Sequence, residues 1–300
     1  MSRPSVSITV SGVARLFGRD LASLVDFAKR ADDAGVDQIA IADHLAIGTR
    51  TERYPYGRFP FPNDEPWPEP LVTLAAMAGA TQRIRLATAV LIAPLRSALL
   101  LAKSLATLDV LSRGRIDLGV GVGWQIEEFT GSGIPFGRRT ARMIDALRAC
   151  RALWQGAPAS FDSPTVSFAS LWCEPRPVQP GGIPIWFGVA PSERHVAHVV
   201  ELGQGWMPIG SDLAAIAAGV ARLRAAFAAA GRDPASLGVR ANVAPAIGDD
   251  RRVNLDRTLA EHAPATVAAG ATVLAFPLAA YARTPDDLPA LLARLGALRI

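Results

Sequence analysis

Few side chains in this sequence can move a proton near neutral pH. The 300 residues include four histidines, His44, His195, His198 and His262, and two cysteines, Cys150 and Cys173. Histidine gives and takes protons at physiological pH, which suits acid/base work beside a redox centre. Of the four, only His44 falls at the end of a predicted strand, in the pair Asp43-His44, and it is the candidate catalytic residue. The alternative is a histidine that bonds Asp43 or a backbone carbonyl and holds the loop. His195 and His198 share a predicted helix at i, i+3 spacing without a carboxylate or third ligand to complete a metal set, so no metal site is expected. Neither cysteine belongs to a CxxC pair, and both are read as plain thiols. The only lysines, Lys29 and Lys103, fall in predicted helices, which excludes a strand-borne Schiff base. There is no HxH on the first strand and no carboxylate cluster at strand ends, which argues against a metal-dependent barrel hydrolase. Glu127-Glu128 is read as the solvated start of a helix, with a role as acid the alternative. Proton and hydride chemistry on a bound organic cofactor remains.

Two glycine-containing stretches could receive such a cofactor. Gly119-Val120-Gly121-Val122-Gly123-Trp124 follows a predicted strand, where glycine permits close approach of a ligand or backbone, but it lacks the spacing of a dinucleotide fingerprint. Gly188-Val189-Ala190-Pro191-Ser192 opens a predicted helix, whose free N–H groups and positive dipole end would suit a phosphate. Capping by Ser192 alone would require the same residue.

The elements that must position these residues alternate. Strand-like runs at 5–10, 37–42, 85–92, 115–120, 184–188, 205–208, 239–246 and 272–277 are each followed by a helical stretch, at 21–34, 70–80, 97–111, 139–154, 192–202, 213–230, 255–269 and 286–298. Eight such units in one domain spanning 1–300 predict an α/β fold, a (β/α)8 TIM barrel with its chemistry at the C-terminal ends of the strands. Two segments interrupt the alternation. The loop 45–69 carries Tyr54, Tyr56, Phe59, Phe61 and Trp67 and is read either as a lid or substrate wall or as a loop packing its rings on the rim. The segment 156–182 is read as an insertion after the fourth strand.

Composition narrows the partners. Mean hydropathy is +0.23, yet no apolar stretch reaches the roughly 18 residues of a membrane span. The first ten residues lack the pattern of a signal peptide, so a soluble, cytoplasmic protein is expected. A net charge of +4 without a basic run interleaved with aromatics suits an anionic small ligand better than nucleic acid.

The order of motifs resembles the luciferase-like monooxygenase superfamily, in particular its F420-dependent oxidoreductase branch. The resemblance rests on QIAIADH, PWPEPLVTLAAMAGATQRIRLATAVLIAPLRSALLLAKSLATLDVLSRGRIDLGVGVGWQIEEFTGSGIPFGRR, EPRPVQPGGIPIWFGVAPSE and LGQGWMP, between residues 37 and 208. It implies a luciferase-like barrel, usually a homodimer, with a flavin or deazaflavin ring over its mouth and a non-proline cis peptide at Ala89–Val90 behind the ring. Carried over by position, it implies cofactor contacts from Asp43, Thr88, Ala89, Val90, Gly121 and Gly123, a phosphate loop at Gly188, Val189, Ala190, Pro191 and Ser192, and His44 as acid/base group. Trp124 stands where some deazaflavin dehydrogenases have a glutamate, and Val189 replaces a usual glycine of the phosphate loop. The function implied is hydride transfer between F420 and a small organic substrate. The runner-up is an FMN-dependent monooxygenase fed by a separate reductase, and a third reading is a cofactor-less binding barrel. Arg50, Arg53 and Arg58 are candidates to meet the anionic tail of F420.

Overall fold

In a computed structural model, which describes residues 3–18 and 20–300, the eight predicted units close into a barrel. The strands are β1 (Ser5–Val10), β2 (Gln38–Ile41), β3 (Arg85–Thr88), β4 (Leu91–Ile92), β5 (Ile116–Gly121), β6 (Ala159–Asp162), β7 (Ser167–Leu171), β8 (Ile185–Phe187), β9 (Gly205–Trp206), β10 (Gly238–Asn242) and β11 (Val273–Pro277). The order β1-β2-β3-β5-β8-β9-β10-β11 returns to β1, and every pairing in that ring is parallel. The protein is therefore a (β/α)8 barrel. The third predicted strand is divided: β3 ends before the cis peptide between Ala89 and Val90, and β4 continues beyond it against β5. Strands β6 and β7 form an antiparallel hairpin within 156–182, between the helix Arg139–Gln155 and β8.

Alternation along the strands divides the core in two. Val6, Ile8 and Val10 of β1 and Ile39 and Ile41 of β2 point outward and pack with helix residues such as Leu24 and Phe27 in one apolar cluster. The inward positions are polar or small. Ser7 Oγ donates to Gln38 Oε1 (2.8 Å), Gln38 Nε2 donates to Asp117 Oδ2 (2.7 Å), and Arg85 meets both oxygens of Asp117 at 2.7 and 2.8 Å. Buried polar groups are tolerated where each finds a partner, and such a network fixes one arrangement of the strands.

The glycines of the GVGVG stretch answer to neighbouring protein atoms. A Cβ on Gly119 would lie 2.0 Å from the Thr88 carbonyl oxygen. Cβ atoms on Gly121 and Gly188 would each lie 2.5 Å from a methyl of Val90, whose side chain nests between the two strands. Their small size therefore admits Val90.

The helix predicted at 255–269 is less regular than expected. It runs as a short α-helix Leu255–Arg257, a π turn Thr258–His262 and an α-helix Ala263–Ala268. Pro264, lacking an N–H, interrupts the ladder there. The helices Pro70–Ala80 and Ala98–Leu111 leave Val72, Leu99, Leu100 and Leu111 exposed. Among the described residues no helix is long and apolar enough to cross a membrane, and no group of three His, Cys, Asp or Glu side chains is placed to hold a metal.

The contact at Gly119 predicts that Gly119→Ala destabilises the protein by about 1–3 kcal/mol, the usual penalty of overpacking, because the obstructing atom is backbone. Gly131→Ala, at a helix position with nothing within 4 Å, is expected to be neutral or stabilising by up to about 1 kcal/mol. Urea unfolding midpoints of the two variants check both.

Candidate active site

A cavity of about 320 Å³ opens at the C-terminal ends of the strands. Its upper wall is aromatic, formed by Tyr54, Tyr56, Phe59, Phe61 and Trp67 of the loop 45–69 together with Trp124. Of the two readings of that loop, the rings therefore form a wall facing the cavity. Burial pushes the Tyr54 and Tyr56 hydroxyls above the ordinary tyrosine range, so both stay protonated at neutral pH.

His44 follows β2 and stands in this wall. Its ring is met edge-on by Trp67 at 4.8 Å between centroids, by Trp124 at 6.0 Å and by Phe59 at 6.2 Å. Its Nδ1 lies 2.9 Å from Glu128 Oε2, with the two side chains 9% and 0% exposed. Glu128 Oε1 also accepts from the backbone N–H groups of Leu45 (2.8 Å) and Ala46 (3.4 Å). An ionised carboxylate only accepts, so its pairing with Nδ1 selects the tautomer in which Nδ1 donates and Nε2 keeps the lone pair. Gln125 adds a second tie to the same loop, accepting from Gly48 N–H (2.9 Å) and donating to the Gly48 carbonyl (3.2 Å).

Glu128 corrects the expectation of a solvated helix start. The helix Ile126–Gly131 docks Phe129 into a small cluster with Ile92 and Leu95, and this seats Glu128 against the loop after β2. Glu127 remains partly exposed and lies 3.6 Å from Arg53. The residue pair Glu128 and His44 spans two β/α units, and nothing in local spacing signals it.

The positions carried over as cofactor contacts separate. Ala89, Val90, Gly121, Gly123 and Gly188 border the cavity. Asp43 borders it too, but its carboxylate is turned away and fully buried. It accepts from Ile92 N–H (2.8 Å) and pairs with Arg96 at 2.6 and 3.1 Å, and Arg96 also holds Glu69 at 2.6 Å. Burial alone would lower the Arg96 pKa, but the two carboxylates outweigh it and hold that pKa above its ordinary value. The Asp43 carboxylate is thus a positioning group for β4 rather than a ligand contact. Thr88 is likewise occupied, its Oγ1 donating to the Gly119 carbonyl (2.7 Å) away from the cavity.

Val189, Ala190, Pro191 and Ser192 lie outside the cavity lining. The Val189 side chain packs in the core and its carbonyl accepts from Trp206 Nε1 (2.8 Å). Ala190 O accepts from Ser192 N–H (2.8 Å) and lies 3.0 Å from His195 Nδ1, while Ser192 Oγ caps the helix Glu193–Leu202. Among the lining residues that went unread in the sequence are Arg240 and Asn242 of β10. The signal was a charge inside an apolar strand, VRANVA, at the inward parity.

The Glu128 geometry predicts a stability effect independent of any ligand. In Glu128→Gln the amide NH2 must face either the N–H groups of Leu45 and Ala46 or the protonated Nδ1 of His44. Leaving a buried donor unpaired costs about 1–3 kcal/mol, so the variant is expected to lose that much in urea unfolding. His44→Ala, which leaves the two backbone bonds intact, is expected to lose less.

Comparison with known proteins agrees with this architecture. Residues 3–274 match the family model described as luciferase-like monooxygenase. An uncharacterised protein of Mycobacterium tuberculosis is 42% identical over 165 residues, covering 55% of this chain and 58% of that protein. The F420-dependent hydroxymycolic acid dehydrogenase of the same organism is 31% identical over 236 residues, covering 76% and 60%. The F420-dependent glucose-6-phosphate dehydrogenase of Nocardia farcinica is 34% identical over 171 residues, covering 54% and 46%. The chain thus matches less than two thirds of the length of these curated relatives. Among solved structures, an F420-dependent secondary alcohol dehydrogenase bound to an F420–acetone adduct superposes with a TM-score of 0.79 at 13% identity, covering 99% of this chain and 98% of that one. Monooxygenase RslO1 of Streptomyces bottropensis gives 0.76 at 20% identity, covering 98% of each. Through the family match over residues 3–274, the chain belongs to the luciferase-like monooxygenase family.

Proposed function

We propose that the protein is an oxidoreductase that passes a hydride between the deazaflavin F420 and a small organic substrate, with His44 handling the proton. The observation that carries this reading is the His44–Glu128 pair in the aromatic upper wall of the cavity. Support for F420 over FMN comes from the relatives at 31% and 34% identity, both F420-dependent by name.

The residues present fit a tricyclic ring. The cavity lies at the low end of the roughly 300–1,000 Å³ common for small-molecule pockets. Ala89, Val90 and the backbone at Gly121, Gly123 and Gly188 would border the ring. Trp67 borders the cavity and its buried Nε1 has no partner among the described residues, a donor left for a ligand. The loop through Ser192 would meet the tail outside the cavity. F420, when bound, supplies an obligate two-electron hydride carrier.

This chain's residues supply the rest. In the oxidising direction Nε2 of His44 accepts the hydroxyl proton of the substrate while the hydride leaves its carbon, and in the reverse direction it returns that proton. Glu128 holds the ring in the required tautomer and balances the positive charge that appears on it, as second partners of catalytic histidines do. The aromatic wall excludes water. Trp124 carries no transferable proton, so no second acid stands at that position. The acting form is proposed to be a cytoplasmic homodimer, joined through the apolar surface that includes Val72, Leu99, Leu100 and Leu111.

His44→Ala is expected to lower turnover roughly a hundredfold or more while cofactor affinity stays within several-fold. Titrating the purified protein with F420 and FMN side by side at low salt is expected to show tighter binding of F420. F420 binding should also weaken as salt rises, since Arg50, Arg53 and Arg58 are exposed. Tighter binding of FMN would make the monooxygenase reading the leading one. Binding of neither would leave the cofactor-less barrel.

A further inference from the structure

Below His44, the floor of the cavity holds a buried cation. Arg240 is 5% exposed and points inward from β10. Its Nε donates to Ser7 Oγ (3.2 Å) and Gln38 Oε1 (3.0 Å), and its Nη2 donates to Ser7 Oγ (2.9 Å) and Thr9 Oγ1 (2.7 Å). All three partners are neutral. Among the described residues Nη1 has no acceptor, although Arg240 borders the cavity. Asn242, two residues on along the same face, also borders it, and its side-chain amide makes no hydrogen bond among the described residues. The nearby carboxylate of Asp117 is taken by Arg85 and by Gln38 Nε2, and it reaches Arg240 only through space.

A buried charge without a partner in contact is costly, and chains keep one where it does something. Burial lowers the Arg240 pKa to about 10, so the guanidinium is still charged at neutral pH. An electron-rich oxygen is what Nη1 lacks. Gln38, which fixes Arg240, opens β2, whereas His44 lies beyond the end of that strand, so a substrate in contact with His44 sits above this level. On the deazaflavin reading, the group left to reach the floor is the cofactor ring.

We propose that Arg240 Nη1, with Asn242 beside it, receives the pyrimidinedione edge of the ring and stabilises the negative charge that edge gains on reduction. This rests on the reading that a deazaflavin or flavin occupies the cavity. The step balances. The substrate C–H bond breaks and its electron pair travels with the hydride into a new C–H bond on the ring, the substrate hydroxyl proton passes to His44 Nε2, and a carbonyl forms. With the ring held so that its N1–C2=O edge meets Arg240, the negative charge gained on reduction would fall beside the guanidinium. A hydrogen bond between charged partners in a low-dielectric site is stronger than a neutral one, so the reduced form gains more than the oxidised form.

The test compares affinity for oxidised and reduced cofactor, measured anaerobically by fluorescence or calorimetry, in the wild type and three variants, with circular dichroism confirming the fold. Wild type and Arg240→Lys are expected to bind the reduced form more tightly. Arg240→Gln is expected to lose about tenfold or more of that preference, the size of one hydrogen bond to a charged group, with oxidised-form affinity within several-fold. Should Arg240→Gln fail to fold, Asn242→Asp carries the test, because it leaves the Ser7–Gln38–Thr9 contacts intact and sets a counter-ion beside the guanidinium. The same loss of preference is expected there. An unchanged preference in a folded Arg240→Gln, or in Asn242→Asp, overturns the proposal while leaving the F420 reading intact. Preference shown toward FMN alone would overturn the F420 reading and keep the role of Arg240, since both rings share that edge. A wild type that binds neither overturns both.

Discussion

The mouth of this barrel depends on one buried carboxylate. Glu128 reaches from the helix after β5 to the loop after β2, and its two oxygens engage the imidazole of His44 and the backbone of Leu45 and Ala46. Without it the loop 45–69 would keep only the Gln125–Gly48 tie at the end nearest the chemistry, and His44 would have no reason to keep its proton on Nδ1. A second carboxylate does the same on the other side of His44. Asp43 holds the Ile92 N–H and, through Arg96 and Glu69, ties β2 to β4 and to the start of the helix Pro70–Ala80. Consecutive residues Asp43 and His44 are thus fixed from opposite sides by charges buried in the rim.

Beneath the rim, the barrel interior trades apolar bulk for shape and polarity. Glycines at 119, 121 and 188 let Thr88 and Val90 approach closely, and the space above them remains open as the cavity. Deeper down, Ser7, Gln38, Asp117, Arg85 and Arg240 bond one another across five strands. Most of the apolar packing is displaced to the outer face, where strands meet helices. This division leaves a polar floor and an aromatic upper wall.

The sequence disclosed the elements well because each strand and helix has its own period and punctuation. The helices expected at 70–80, 139–154 and 213–230 keep their ends within a residue or two. His44 was legible because a histidine just past a strand end is rare in this chain. What stayed hidden is pairwise and long-range. Glu128 looks like any acid at a helix start until Phe129 docks, and Arg240 looks like a lapse in an apolar strand until Ser7, Thr9 and Gln38 are brought beside it from strands far off in sequence. The side chains of Asp43 and Thr88 turn to Arg96 and to the Gly119 carbonyl, since position in a motif does not say which way a side chain turns.

The central claim is that Glu128 fixes His44 with the proton on Nδ1 and the lone pair on Nε2. Long-range nitrogen–proton correlation spectra of protein labelled at its four histidines test this directly, with single substitutions assigning the ring of His44. The account predicts that neutral His44 is one tautomer, with a protonated Nδ1 and an unprotonated Nε2, and that this pattern is lost in Glu128→Gln. A spectrum in which neutral His44 carries its proton on Nε2, or averages between the two nitrogens as a free histidine does, would contradict it.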